Sequence, residues 1–157
     1  MSFKNKLDKI LEKILVGLMS VLVLDVLWQV LSRYILSSPS SFTDELAGFL
    51  LIWVGLLGAA YVAGQKQHLA IDLLLQKSSP NNQRNLIRFI NGCIGLFALA
   101  VMVVGGSWLV MTRFMFEVNS AALQIPLGYV YLVLPISGLI ILFYSIIFIV
   151  EPEEENN

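Results

Sequence analysis

The chain has 157 residues, of which 57% are hydrophobic and 13% charged, with a net charge of −1. A soluble domain of this length carries about a quarter charged residues, and here the apolar residues fall in long runs. The pattern excludes an ordinary globular domain and predicts an all-α membrane protein with four spanning helices, each needing about 20 mostly apolar residues.

The first element is residues 3–16, where Phe3, Leu7, Ile10, Leu11 and Ile14 recur at helical spacing. Lys4, Lys6, Asp8, Lys9, Glu12 and Lys13 fill the other side. That is an N-terminal amphipathic helix expected to lie on the cytoplasmic leaflet and to run into the first span. The apolar run behind it is too long for a signal peptide and has no small-x-small cleavage site, so it reads as a retained signal anchor.

Span one is expected over about 14–36. Asp25, Gln29, Ser32 and Arg33 share one face of it. Charged and polar groups at membrane depth are costly unless they face protein, so this stripe points toward other spans or a partner. Arg33 lies near the outer surface, within reach of water.

A Ser/Pro-rich turn at 37–43 leads into span two, about 45–64. Ser41 followed by Asp44 fits a capping box, and Asp44 and Glu45 suit the positive end of a helix dipole. Either acid is also a candidate partner for Arg33 in an outer-surface ion pair. Within the span, Gly48, Gly55, Ala59 and Ala63 are small residues that allow close helix approach in lipid. Gly58, Ala60 and Gly64 add to them.

Residues 65–85 carry the single histidine, His68, with Asp72 one helical turn on. These two form an expected cytoplasmic polar cluster. The apolar stretch at 69–76 is too short to span and is expected along the surface. Ser78, Ser79 and Pro80 turn the chain, with Asn81 or Asn82 as a cap for span three, about 86–112. Its small positions are Gly92, Gly95, Ala98, Gly105 and Gly106, with Gly95 counted among the expected helix-packing sites. Arg113 and Glu117 follow on the outer side. Span four, about 125–150, starts at Pro126 and carries Pro135, where a kink is expected. The tail 151–157 is acidic. The whole chain is one membrane domain.

Orientation follows from lysine and arginine placement. Eight basic residues lie on the side of the N-terminus and the 65–85 connection, and only Arg33 and Arg113 lie on the other. Both termini are therefore expected in the cytoplasm. The chemistry for an enzyme is missing: one histidine, one cysteine (Cys93), no metal-ligand spacing and no phosphate loop. No catalytic residue, cofactor, metal or nucleic-acid partner is expected. One self-contained activity stays open, a four-helix proton-coupled exporter using Asp25 as its membrane carboxylate.

Arg33-Tyr34, Asp44-Glu45, Trp53, Leu57-Gly58-Ala59-Ala60 and His68-x-x-x-Asp72 together resemble the small membrane (DctQ-like) subunit of tripartite ATP-independent periplasmic (TRAP) transporters. Pro126, Tyr131, Pro135 and Gly138 resemble the same family's last span. The resemblance covers about residues 14–150. It implies a sodium-driven importer of an organic acid, of the sialic acid or C4-dicarboxylate class, in the bacterial inner membrane. It implies two protein partners: a large elevator-type membrane subunit that holds the substrate, and a periplasmic substrate-binding protein. The small subunit is then a scaffold in the lipid bilayer, and Arg33, Asp44, Glu45, Arg113 and Glu117 become docking candidates.

Overall fold

The computed structural model describes residues 3–35, 41–65 and 80–150. His68, Asp72, the 69–76 stretch, most of the 37–43 turn and the acidic tail lie outside the described residues. Four helical spans are present, each long and apolar enough to cross a membrane. The protein is all-α.

Span one is α1, Phe3–Tyr34. The basic amphipathic segment over 3–16 is helical and joins the span without a break, so the two are one 32-residue helix. At 1.5 Å per residue it is about 48 Å long, against a hydrocarbon core of about 30 Å. Its first turns are tied to the rest of the chain. Leu11 is buried in a cluster with Leu57, Tyr144 and Phe148. Asp8 accepts a hydrogen bond from the Tyr144 hydroxyl, and the Lys4 ammonium sits 5.1 Å from the Phe148 ring centre.

Span two is α2, Ser41–Gly64, with Asp44 in its first turn. Ser41 is itself helical, so it does not stand ahead of the helix as a cap. Span three is α3, Pro80–Phe97, followed by a π-helical segment, Ala98–Gly105, and α4, Gly106–Met115. Pro80 opens α3, where a proline's missing N–H costs nothing and its fixed φ suits the helix. Asn81 and Asn82 therefore fall inside the first turn of the helix. Span four is α5, Leu127–Tyr131, and α6, Val133–Val150. The interruption at Leu132 lies just before Pro135. The proline has no N–H for the Tyr131 carbonyl and its ring crowds that turn.

The spans pack in the order one, two, four, three. Span two lies against one and four, and span four lies against three. Among the described residues no substantial contact closes the row between spans one and three. The tightest approach lies between spans three and four. A Cβ on Gly138 would come 2.6 Å from the Met102 Cβ, and one on Gly106 would come 3.0 Å from Leu134 and 3.2 Å from Pro135. The two irregular stretches thus lie side by side. π-Helical turns widen the backbone, and here the widened turn of span three nests against the glycine face of span four.

Candidate functional site

The site candidates cluster at the end of the molecule where α1 ends, α2 begins and the 116–126 connection lies. That connection is a built loop. Α4 ends in a Schellman pair, with the Val118 N–H donating to the Arg113 carbonyl and the Glu117 N–H to the Phe114 carbonyl. Glu117 occupies the left-handed position, φ 49°, that glycine usually takes. Beyond it, Ser120 N–H donates to the Ile125 carbonyl and Leu127 N–H to the Val118 carbonyl, each at 2.9 Å. Gln124 is also left-handed, φ 54°, and its side-chain amide donates to the Ala121 carbonyl at 2.8 Å. Below the loop, Phe114 meets Tyr129 edge-to-face with ring centres 5.1 Å apart. Gly128 leaves the room that the Phe114 ring fills.

Glu45 holds this loop. Its carboxylate accepts the backbone amides of Ala121 at 2.9 Å, Ala122 at 2.8 Å and Leu123 at 2.7 Å. Consecutive amides turned toward one point form an anion-binding concavity, and a side chain from the neighbouring span occupies it. The expected Arg33–Glu45 ion pair is therefore not formed. The stronger competitor is a fixed set of three backbone donors, against a long arginine that would have to be ordered. Asp44 also goes elsewhere, accepting the Gln29 side-chain amide at 2.7 Å. Arg33 is exposed in the last turn of α1, where its charge suits the negative end of the helix.

Arg113 and Glu117 do not pair with each other. The Arg113 guanidinium lies 5.7 Å from the Tyr131 ring centre, and its Nε is buried without a hydrogen-bond partner. Trp53 supplies a second link between spans two and four, its indole N–H donating to the Val130 carbonyl at 3.1 Å. That bond falls at the interrupted part of span four, where the helical ladder is incomplete.

The polar stripe of span one divides. Asp25, Gln29 and Ser32 all lie on its packed side, whereas Arg33 does not. The expected packing positions divide too. Gly95 sits against span four, 3.4 Å from the Ser145 Cβ for an added Cβ, and Ala63 packs beside Ala60 and Ile141. Gly48 and Gly55 face open space, and Ala59 is exposed. Gly64, Gly106 and Gly138 make closer approaches than any of these. Nothing in residue type separates a filled glycine from an open one, because the difference lies in which helix happens to cross there.

Among the described residues no group of three His, Cys, Asp or Glu side chains is placed to hold a metal ion. Among the described residues the polar groups join spans two, three and four to one another and leave exposed surface at this end.

The profile of the DctQ component of tripartite ATP-independent periplasmic transporters matches residues 22–154. A putative TRAP transporter small permease protein of Haemophilus influenzae is 27% identical over 142 residues, covering 89% of this chain and 85% of that protein. The sialic acid TRAP transporter small permease protein SiaQ of Vibrio cholerae is 27% identical over 99 residues, 63% of this chain and 57% of that protein. The sialic acid TRAP transporter permease protein SiaT of Haemophilus influenzae is 33% identical over 75 residues, which are 47% of this chain but only 12% of that much longer permease. The profile match reaches into all four spans, and the chain belongs to the DctQ component family of the TRAP transporters.

Proposed function

We propose that this chain is the stationary small subunit of a sodium-driven importer that takes up an organic acid of the sialic acid or C4-dicarboxylate class. The observation that carries this reading is the open row of spans, which leaves broad apolar faces for a larger membrane partner and for lipid. A 75-residue match inside the longer SiaT permease supports the same pairing, since there a segment like this one shares a chain with a larger permease. The sialic acid class rests on the names of two relatives.

The chain sits in the inner membrane with Arg33, Arg113 and the 116–126 loop on the periplasmic side, following the distribution of lysine and arginine. The loop and Arg33 then contribute to the surface that receives the substrate-binding protein. The basic start of α1 anchors the cytoplasmic side, so that the row resists tilting while the large subunit moves.

Reconstitution tests the whole. Proteoliposomes holding this chain and its large subunit import the organic acid only when the binding protein and a sodium gradient are both supplied. Uptake that persists without this chain overturns the scaffold role. A homodimer of this chain that moves protons on its own supports the exporter instead. Single cysteines at Arg33 and Lys9, introduced after Cys93→Ser, report orientation by their labelling from outside intact spheroplasts.

A further inference from the structure

The packed stripe of span one changes character half-way along. Leu11, Leu15, Leu18 and Leu22 are followed, at the same three-and-four spacing, by Asp25, Gln29 and Ser32, and all are buried or half-buried. Two of the three polar residues are satisfied inside the chain: Gln29 donates to Asp44 and Ser32 donates to the Gln29 carbonyl. Asp25 is only 9% exposed, and its Oδ2 is buried without a hydrogen-bond partner. Leaving an acid oxygen unpaired at membrane depth is costly, and an intramembrane acid marks a functional contact by default.

The Gln29–Asp44 bond and the approach of Leu15 to Gly58 fix the antiparallel register of spans one and two. In that register position 25 is level with Gly48. Asp44, Gly48, Leu51, Gly55 and Gly58 form one stripe of α2 at helical spacing. A Cβ added at Gly48 or Gly55 would meet nothing within 4 Å, and both residues are exposed. Gly95, Gly106 and Gly138, by contrast, are each covered by a neighbouring helix. Gly17 and Gly92 are open as well, but only the groove at Gly48 and Gly55 lies level with the seam acid that lacks a partner. A lipid tail fills a groove but has no hydrogen to donate.

We propose that the groove between α1 and α2 at Asp25 and Gly48 receives a transmembrane helix of the large permease subunit, which brings a hydrogen-bond donor to the Asp25 carboxylate. Close backbone approach over glycine, together with an interhelical hydrogen bond, is how helices associate where lipid removes the hydrophobic driving force. The inference rests on the small-subunit role proposed above.

The test is co-expression of the tagged chain with its large subunit and purification in mild detergent. Gly48→Leu fills the groove without entering this chain's own core. It is expected to lower recovery of the large subunit by about tenfold or more, while the small subunit purified alone keeps its thermal midpoint. Asp25→Leu is expected to do the same, with Asp25→Asn closer to the parent because an acceptor oxygen remains. Unchanged recovery in Gly48→Leu overturns the proposal. So does unchanged recovery in Asp25→Leu, which assigns the carboxylate to a water. A Gly48→Leu variant whose only defect is loss of self-association assigns the groove to a second copy and likewise overturns it. If the parent chain retains no large subunit at all, the small-subunit role itself fails.

Discussion

The Glu45 carboxylate and the Leu123 amide meet at 2.7 Å, joining the N-terminal end of span two to the loop between spans three and four. A carboxylate at the positive end of its own helix thus also fills the amide concavity of a loop far along the chain. Glu45→Ala is expected to speed hydrogen exchange of the Ala121, Ala122 and Leu123 amides by about tenfold or more, with the helix interiors unaffected. Glu45→Gln, which keeps one acceptor oxygen, should fall between. Unchanged protection at all three amides would show that the loop holds itself.

Glu117 and Gln124 both adopt left-handed backbone conformations. For Glu117 the conformation belongs to the helix-ending Schellman pair, so Glu117→Gly should stabilise the chain by about 1 kcal/mol. Gln124→Gly should gain less or nothing, since it also removes the side-chain bond to the Ala121 carbonyl. Thermal unfolding in detergent separates the two, and a lower midpoint for Glu117→Gly would contradict the strain argument.

Two alanine substitutions in span two should have opposite signs. Gly55 faces open space, so Gly55→Ala should stabilise the isolated chain by up to about 1 kcal/mol through helix propensity. At Gly64 a Cβ would lie 2.6 Å from the Tyr144 ring. That ring is buried and bonded to Asp8, so it cannot swing aside, and Gly64→Ala should cost about 1–3 kcal/mol. Midpoints that move in the same direction would refute the distinction between open and filled glycines.

Trp53→Phe keeps most of the ring volume but removes the donor to the Val130 carbonyl. The expected cost is about 1 kcal/mol, the usual net value of such a bond. Restoring tryptophan while substituting Pro135→Ala tests the other side of the same joint. With an N–H returned to position 135, the ladder at Tyr131 can close, and the variant should melt higher if Pro135 is what interrupts span four. A lower midpoint would mean that the bend itself is needed for packing against Gly106.

The four spans were legible because lipid demands long apolar runs, and little else produces them. The interruption near Pro135 was legible for the same kind of reason, since proline has a fixed local effect. The π-helical stretch was not. Ala98–Gly105 reads as an ordinary apolar run, and its widened turn makes sense only against Gly138 and Pro135 of another span. The partner of Glu45 was missed because charge invited a search for opposite charge. The actual partners are backbone amides of Ala121, Ala122 and Leu123, which leave no mark in side-chain identity. The polar stripe of span one was visible as a stripe, but only the register with span two separated satisfied Gln29 and Ser32 from unsatisfied Asp25.

The four spans form an open row that gathers at one end, where the start of span one reaches spans two and four through Leu11, Asp8 and Lys4. Such a row has two broad sides and a small interior, the clusters around Tyr144 and around Ala60 and Ala98. Packing against one side can be felt on the other across a thin layer of side chains. Such a partition can present lipid with one surface and a protein neighbour with the other, and its resistance to bending has to come from its seams. The Glu45 loop clasp and the Trp53 link hold span two to the chain beyond it, and the Tyr144–Asp8 tie reaches past span two to join span one to span four.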